Sequence, residues 1–593
     1  MKTFIRNTLI IKLIILLFLI SFEISLRFSG YGINTDIFSK ITINGTKYYK
    51  DNTQFINKYY PQAFTITTSD EKNLFTVKKD PGTIRGFILG GSAAAGFPYN
   101  SNQSFGTIVQ KALENSGTFS KVDVINVSFP LMSSYYITDA AHKLLRYKPD
   151  FLIIYTGENE YYDIVRGDIK NSHLYVKTKL FLKEIKLIQL FLNLVKKPDV
   201  SLENRYSFID TQINDFDFTD KGENDLDVKS RFTKNINSVL QLYENKKIPV
   251  VLTEALSNIF DMPPFSSEYE SEATDFITRY KRALDSRDSL ALKSLFQQSQ
   301  SLEMFRKNAS VNFLNGVASN YLLKNSPEAL NYFLIAVEQD KTPLRVKSSL
   351  FTTLSSLYIT KKKEFKYINF LSLKQMILSL NDLSLLGNRL CADHTHLTQE
   401  GNRVAAYYIA LNLSELLKLD VNKVLSLFSK KTEELNSLLQ ISDIDNFAAF
   451  LKTFDIFNSK PYQNLVIDYA IEPIIDLENS IVSNKRLYNT LKELSGKNLY
   501  LDAGYFYYEN DDIQRALEIA RSFVQNYPGY DGARYLLSQI YEQTGEKEKA
   551  KNEIIFAYSL SNRNSKVYEL AQSILNDDEL KKMIQINGKP ASM

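Results

Sequence analysis

The stretch "FILGGSAAAGFPY", residues 87–99, ends an apolar run on paired glycines and then offers one hydroxyl, Ser92. A glycine-rich turn after a strand serves one of two chemistries: it cradles a phosphate, or it lifts a serine clear of the sheet as a nucleophile. The first needs a Lys-Ser/Thr pair behind the glycines, which this stretch lacks. A dinucleotide turn needs G-x-G-x-x-G, and Gly90, Gly91 and Gly96 have other spacing. A serine hydroxyl attacks well only when a base takes its proton and an acid orients that base. "CADHTHLTQEG", residues 391–401, supplies both types: Asp393 and His396 stand three apart in a loop, so a turn can set carboxylate beside imidazole. His394 adjoins Asp393, and neighbouring side chains in extended backbone point apart; it reads as a surface residue. In "IIYTGENEYY", residues 153–162, Asn159 follows an apolar run and Gly157, where its amide can donate to a developing oxyanion.

These residues need elements to hold them. "GFILGG", "KVDVINVS", "DFLIIYTG" and "IPVVLTEA" are short apolar runs bounded by turn residues, as buried parallel strands are. Between the first three lie helical stretches, one ending at Gly117 and one stopped by Pro149. The resulting βαβαβ order predicts an α/β fold with a parallel sheet and helices on both faces. Ligands bind such sheets at the carboxyl ends of the strands, and Ser92, Ser128 and Asn159 fall at three of those ends. Two insertions, 163–245 and 268–375, read as mostly helical, with the acidic run "DFDFTDKGENDLD" as a surface loop. The sheet domain resumes near Cys391, where Thr398 caps a helix to about Leu417.

At 593 residues the chain exceeds one ordinary core, so several domains are expected. Net charge is +4 with mixed signs and no basic stripe, which excludes a nucleic-acid partner. One cysteine, Cys391, rules out an intrachain disulfide, and with four histidines the chain cannot build a cysteine-based metal site. No metal and no cofactor is expected. The N-terminus, "MKTFIRNTLIIKLIILLFLISFEISLRF", carries Lys2, Arg6 and Lys12 ahead of an apolar stretch about long enough to cross a bilayer. No small-x-small cleavage site follows it, so it reads as a retained anchor rather than a signal peptide. The leading basic residues put the N-terminus in the cytoplasm and the rest of the chain outside the inner membrane.

The C-terminal region repeats. Gly504, Tyr507, Ala516 and Pro528 have tetratricopeptide spacing, and Ser538, Tyr541, Ala550 and Asn562 recur at the same offsets. Such units stack to present a groove for a protein partner and do no chemistry themselves.

Together the blocks resemble the SGNH (GDSL-type) hydrolases: the Ser block at Gly91-Ser92, the second block at "NVSFP", the Asn block at Gly157-Glu158-Asn159, and Asp-x-x-His at Asp393–His396. The resemblance is closest to a membrane-anchored group that joins this domain to tetratricopeptide repeats and has a similar "GGSSAAGFPY" turn, a G-x-N-E-[FY]-Y segment and an S-N-x-x-D-x-P-P-F loop like "SNIFDMPPF" here. It implies a flavodoxin-like sheet domain over 80–420, a transmembrane anchor over 1–28, a membrane-proximal linker over 29–79, and a helical region over 421–593 with repeats at about 497–564. It implies Ser92 as nucleophile, His396 as base and Asp393 as its orienter, with the Ser92 N–H, the Ser128 N–H and the Asn159 side chain as oxyanion donors. Two departures stand out: Gly-Gly-Ser replaces Gly-Asp-Ser, and Ser128 replaces a glycine. The function implied is hydrolysis of acyl esters, on an envelope glycan or another ester; an O-acyltransferase using the same acyl-serine, or a non-catalytic repeat scaffold, are the alternatives.

Overall fold

The computed structural model describes the chain except residues 1, 53, 61–71, 164, 167–170, 196–224, 324–326, 459–460, 468–490, 492–493, 495, 562 and 591–593. Most of the acidic run and the repeat position Asn562 thus lie outside the described residues.

Helix α1, Lys2–Phe28, is continuous, and none of its most apolar window is buried. Its length and mean hydropathy of 2.6 suit a single membrane span, a property that anchors and signal sequences share. Beyond it the expected linker is instead a small sheet. β1 (Phe38–Ile43), β2 (Thr46–Asp51) and β3 (Leu74–Thr76) pair antiparallel in the order β1-β2-β3. Asn44 and Gly45, both at positive φ, make the two-residue turn whose twist suits a hairpin. The "NG" between alternating apolar residues was the signal for it. Phe38 packs edge-on to Phe75 and to Tyr147, which ties this sheet into the main core.

The central sheet has five parallel strands: β4 (Thr83–Gly90), β5 (Lys121–Asn126), β6 (Phe151–Thr156), β7 (Val250–Glu254) and β8 (Ile368–Leu371). Their order, β5-β4-β6-β7-β8, is the 2-1-3-4-5 order of flavodoxin-like sheets. β4, β6 and β7 are buried along their whole length, which explains the apolar runs within them, "FIL", "FLII" and "VVL". One buried charge is met within the sheet: Arg85 on β4 pairs with Asp123 on β5 at 3.0 Å. β8 falls inside the region expected to be a helical insertion. Its apolar core is four residues long, "INFL", too short to stand out from the helices around it.

Helices α2 (Ser92–Ala95), α3 (Phe105–Asn115) and α4 (Ser134–Leu144) follow the first strands. The first insertion holds α5 (His173–Leu182), α6 (Lys186–Val195) and the helix Asp225–Asn245. The helices between β7 and β8 build a separate core around Phe276, Phe305, Phe313 and Phe333. After the capped helix Gln399–Leu417, the rest of the described chain is helical, with a third core of its own. There Gly504 is needed for close helix packing, since a Cβ would lie 2.4 Å from Leu536 Cδ2.

Candidate active site

The strand order reverses between β4 and β6, and a crevice opens at the carboxyl ends of strands at such a reversal. Ser92 leaves β4 there and Asn159 leaves β6. The two glycines before Ser92 have different jobs. A Cβ on Gly90 would lie 2.0 Å from the Tyr155 carbonyl oxygen, so glycine lets the two strand ends meet. A Cβ on Gly91 would lie 2.1 Å from Asn159 Nδ2 and 2.3 Å from Glu158 Oε1. Any side chain at position 91 would require the Glu158 carboxyl and the Asn159 amide to move from the places they hold here. The Gly-Gly-Ser departure is in keeping with that crowding. Gly96, at φ +95°, closes the one-turn α2 that carries Ser92.

The histidine loop is a tight hairpin. Ala392 N–H donates to the His396 carbonyl at 2.6 Å, and Thr398 N–H donates to that of Leu390 at 3.0 Å. Asp393 Oδ1 accepts the backbone N–H groups of Thr395 (2.9 Å) and His396 (2.8 Å), which bends the loop back on itself. Its other oxygen, Oδ2, lies 2.6 Å from His396 Nδ1, and His396 Nε2 lies 2.8 Å from Ser92 Oγ. The structure thus brings Ser92, His396 and Asp393 into one hydrogen-bonded line. Thr395 Oγ1 anchors the loop to the Leu256 carbonyl beyond β7 at 2.8 Å, and Phe97 packs on the His396 ring with centroids 4.6 Å apart. Burial pushes the Asp393 carboxyl upward, but His396, His394 and the hydrogen bonds more than reverse this. The group is held well below the usual carboxylate range, so it stays an anion that fixes one imidazole tautomer.

The oxyanion side departs from expectation at one donor. Asn159 Nδ2 donates to the Met132 carbonyl at 3.2 Å while touching Gly91. The Ser128 N–H donates to Asn126 Oδ1 at 3.0 Å, an i to i+2 turn that gives this N–H an acceptor of its own. An oxyanion would have to share or displace it. The Ser128 hydroxyl, in contrast, is buried with no partner among the described residues. The added side chain brings a donor along with its bulk.

His394 is not a surface residue. Its side chain is 12% exposed, its Nδ1 hydrogen-bonds the Tyr462 hydroxyl, and the same atom comes within 3.4 Å of Asp393 Oδ1. The hairpin folds both histidines back toward the one carboxylate, which extended backbone would have prevented. Burial, against the pull of Asp393, lowers the His394 pKa to about 4, so it is neutral at ordinary pH. The ligand atoms of Asp393, His394 and His396 lie within 4.8 Å of one another. His394 Nδ1 hydrogen-bonds Tyr462 and both His396 nitrogens have protein partners, so each of these ligand atoms is already engaged.

Glu158 was not singled out from the sequence. Its carboxyl is buried beside Gly91 and His396, and neither oxygen has a well-formed hydrogen bond among the described residues. Burial pushes it up to about 7. The legible signal was a carboxylate on each side of Asn159 directly after an all-apolar strand. The other one, Glu160, has a structural job: its oxygens accept the N–H (2.6 Å) and hydroxyl (2.8 Å) of Ser134 at the start of α4.

The C-terminal helices also reach the site. The segment after the nucleophile turn is clamped from the helical region. Asn102 N–H donates to Asn526 Oδ1 at 2.9 Å, Lys452 Nζ to Asn100 Oδ1 at 2.9 Å, and Gln103 Nε2 to Asn446 Oδ1 at 2.8 Å. Behind them the buried Asp445 accepts from Ser442, Ser522, Asn526 and Tyr500. Of these partners Tyr500, Ser522 and Asn526 belong to the expected repeat span, which therefore packs against the segment after the nucleophile turn, while Lys452, Asn446 and Tyr462 precede it.

No protein-family model and no curated protein matches the chain. Among solved structures it is similar to an acetyl xylan esterase (13% identity, 55% of this chain and 98% of that one, TM-score 0.25). It is also similar to a GDSL-like lipase from Bacteroides thetaiotaomicron (10% identity, 56% and 88%, TM-score 0.25). A lipase/acylhydrolase from Enterococcus faecalis is matched at 12% identity over 57% and 98% of the two chains, with a TM-score of 0.26.

Proposed function

We propose that the chain is a membrane-anchored ester hydrolase of the SGNH type, with its sheet domain outside the cytoplasm. The observation that carries this reading is the Ser92–His396–Asp393 line, with hydrogen-bond distances of 2.8 and 2.6 Å. In it, Ser92 Oγ attacks the ester carbonyl while His396 Nε2 takes its proton. Asp393 holds the imidazole in position and stabilises the imidazolium that forms. The Asn159 amide and the Ser92 N–H, with Ser128, donate to the tetrahedral oxyanion. His396 then protonates the leaving alkoxide, and water delivered by the same base resolves the acyl-enzyme. The substrate is an acyl ester, with an envelope glycan as the bearer that fits the placement outside the membrane. The C-terminal helix pairs serve as tetratricopeptide repeats that hold a protein partner.

Fluorophosphonate labelling of the purified protein tests the reading. Ser92 is the expected site of modification, and labelling disappears in Ser92→Ala. A protein that neither labels nor turns over p-nitrophenyl acetate is a scaffold, and the proposal fails. Acetyl transfer to an added glycan in preference to water would convert the hydrolase into a transferase.

A further inference from the structure

α5 and α6 follow β6, and α6 runs beside the end of α1. The Glu23 carboxylate on α1 accepts the backbone N–H groups of Lys186 (3.0 Å) and Leu187 (2.8 Å), capping the first turn of α6. Arg27 donates to the Glu184 carbonyl at 3.0 Å. Gln189 Oε1 accepts the Ile33 N–H at 2.8 Å, and Asn193 Nδ2 donates to the Tyr31 hydroxyl at 3.1 Å. Lys186, Gln189 and Asn193, spaced three and four apart, thus turn toward the segment that leaves α1. α6 is fixed at the level where the span ends.

What α6 and α5 present elsewhere is apolar. Phe191 and Leu194 on α6 are 64% and 76% exposed, and Leu192 is exposed beside them. On α5, Leu174, Tyr175 and Phe181 are exposed in the same way. Scattered exposed leucines are ordinary, but two short helices carrying seven large apolar side chains into solvent, Leu182 included, are not. Lys177 and Lys179 stand among them on α5, the sign that suits anionic headgroups.

We propose that α5 and α6 form an interfacial hairpin that lies in the headgroup region of the bilayer that α1 crosses. The occupant of the apolar face is lipid, because Glu23 and Arg27 hold the start of α6 against the outer end of α1, whose own apolar side chains are exposed along the span. The hairpin is rigidly tied to the enzyme. Glu184, in the turn between the two helices, pairs with Lys58 and with Lys143 of α4, each at 2.5 Å. The bilayer contact therefore sets the height and tilt of the catalytic sheet over the membrane, which a single helix and a flexible tether could not do. The proposal rests on α1 spanning the membrane.

The chain contains no tryptophan, so one introduced indole is a clean reporter. The test uses the full-length protein with Phe191→Trp, reconstituted in phosphatidylethanolamine–phosphatidylglycerol vesicles with acyl chains brominated near the headgroup. Leu290→Trp, at a position 81% exposed on a distant helix, is the reference. The expected result for Phe191→Trp is a blue-shifted indole emission quenched roughly twofold or more by bromine, with the reference solvent-like and unquenched. Solvent-like, unquenched emission from a Phe191→Trp protein that resists carbonate extraction overturns the hairpin and leaves the span standing. Release by carbonate overturns the span, and the proposal with it. A blue shift that bromine does not quench, and that fades as the protein-to-lipid ratio falls, means a second copy covers the face, which also overturns the proposal.

Discussion

Asn100, in the segment that follows the nucleophile turn, hydrogen-bonds the hydroxyl of Tyr500, 400 residues further along the chain. The same hydroxyl donates to the buried Asp445, so the nucleophile segment and the C-terminal helices share one polar network. Buried networks of this kind cost several kcal/mol when half broken, because each orphaned donor or acceptor loses about 1–3 kcal/mol. Deleting residues 490–593 is therefore expected to slow fluorophosphonate labelling of Ser92 at least roughly tenfold in protein that stays folded. An unchanged labelling rate in a folded truncation would show that the nucleophile segment supports itself.

The two histidines of the hairpin are expected to separate cleanly. His396→Ala should be as inactive as Ser92→Ala, and the double variant no worse, since triad members act as a unit. His394→Ala should keep more activity than His396→Ala but cost about 1–3 kcal/mol in stability, because it removes a largely buried ring together with its hydrogen bond to the Tyr462 hydroxyl. Steady-state kinetics and urea unfolding of the three single variants check this, and the reverse activity ranking refutes the assignment.

Gly91 and Asn159 offer a paired test of the oxyanion side. Asn159→Ala should lower kcat about 100-fold, the scale of losing one oxyanion donor. Gly91→Ala places a methyl 2.1 Å from the Asn159 amide and must move it, so a similar loss is expected with Ser92 and His396 intact. In the double variant the losses should fall well short of additive. Full additivity would mean the two act on different steps.

Ser128→Gly asks what the hydroxyl does. Glycine restores backbone freedom and removes the unpartnered Oγ. If backbone geometry alone matters, turnover holds or rises. A loss of roughly tenfold or more would make the hydroxyl an oxyanion donor in its own right. Single-turnover acylation rates distinguish the outcomes.

Glu158 predicts a pH effect with a definite sign. Its carboxyl ionises near 7 in the folded protein against 4.5 as the ordinary value. Its neutral form thus adds stability that is fully present below 4.5 and lost as pH rises through 7, on the order of 3 kcal/mol. Above pH 7 a negative charge appears beside Gly91, where an oxyanion would have to form. The Glu158 contribution to stability is expected to fall as pH rises from about 4.5 to about 7, and kcat to fall from about 6 to about 8 as the folded enzyme ionises; Glu158→Gln should remove both components. His394 acts in the opposite direction on stability, because its folded pKa of about 4 lies below the ordinary 6.5 and stability is gained as pH rises through that interval; it is common to both proteins, so the comparison with Glu158→Gln isolates Glu158. Identical wild-type and Glu158→Gln profiles would count against the role.

The sequence by itself determined the strands and turns that carry Ser92 and Asn159, the helix behind the histidine loop and the chemistry-bearing types, though not β8 or the small N-terminal sheet. Apolar runs ending in Gly90-Gly91-Ser92 and in Gly157-Glu158-Asn159 could only be buried strands that stop at a turn, and Thr398 marked the start of the helix behind the histidine loop. These are local properties, set by burial period and turn chemistry within a few residues. What the tertiary structure decided was every relationship across the chain. What a side chain at position 91 would displace depends on where Asn159 and Glu158 arrive from the next strand. Whether His394 is exposed depends on Tyr462, 68 residues on, and on a hairpin bent by Asp393's own hydrogen bonds. Burial likewise turns Glu158 from an ordinary acid into one that ionises near 7. Desolvation and close approach are properties of the assembled surroundings, and no window of sequence contains them.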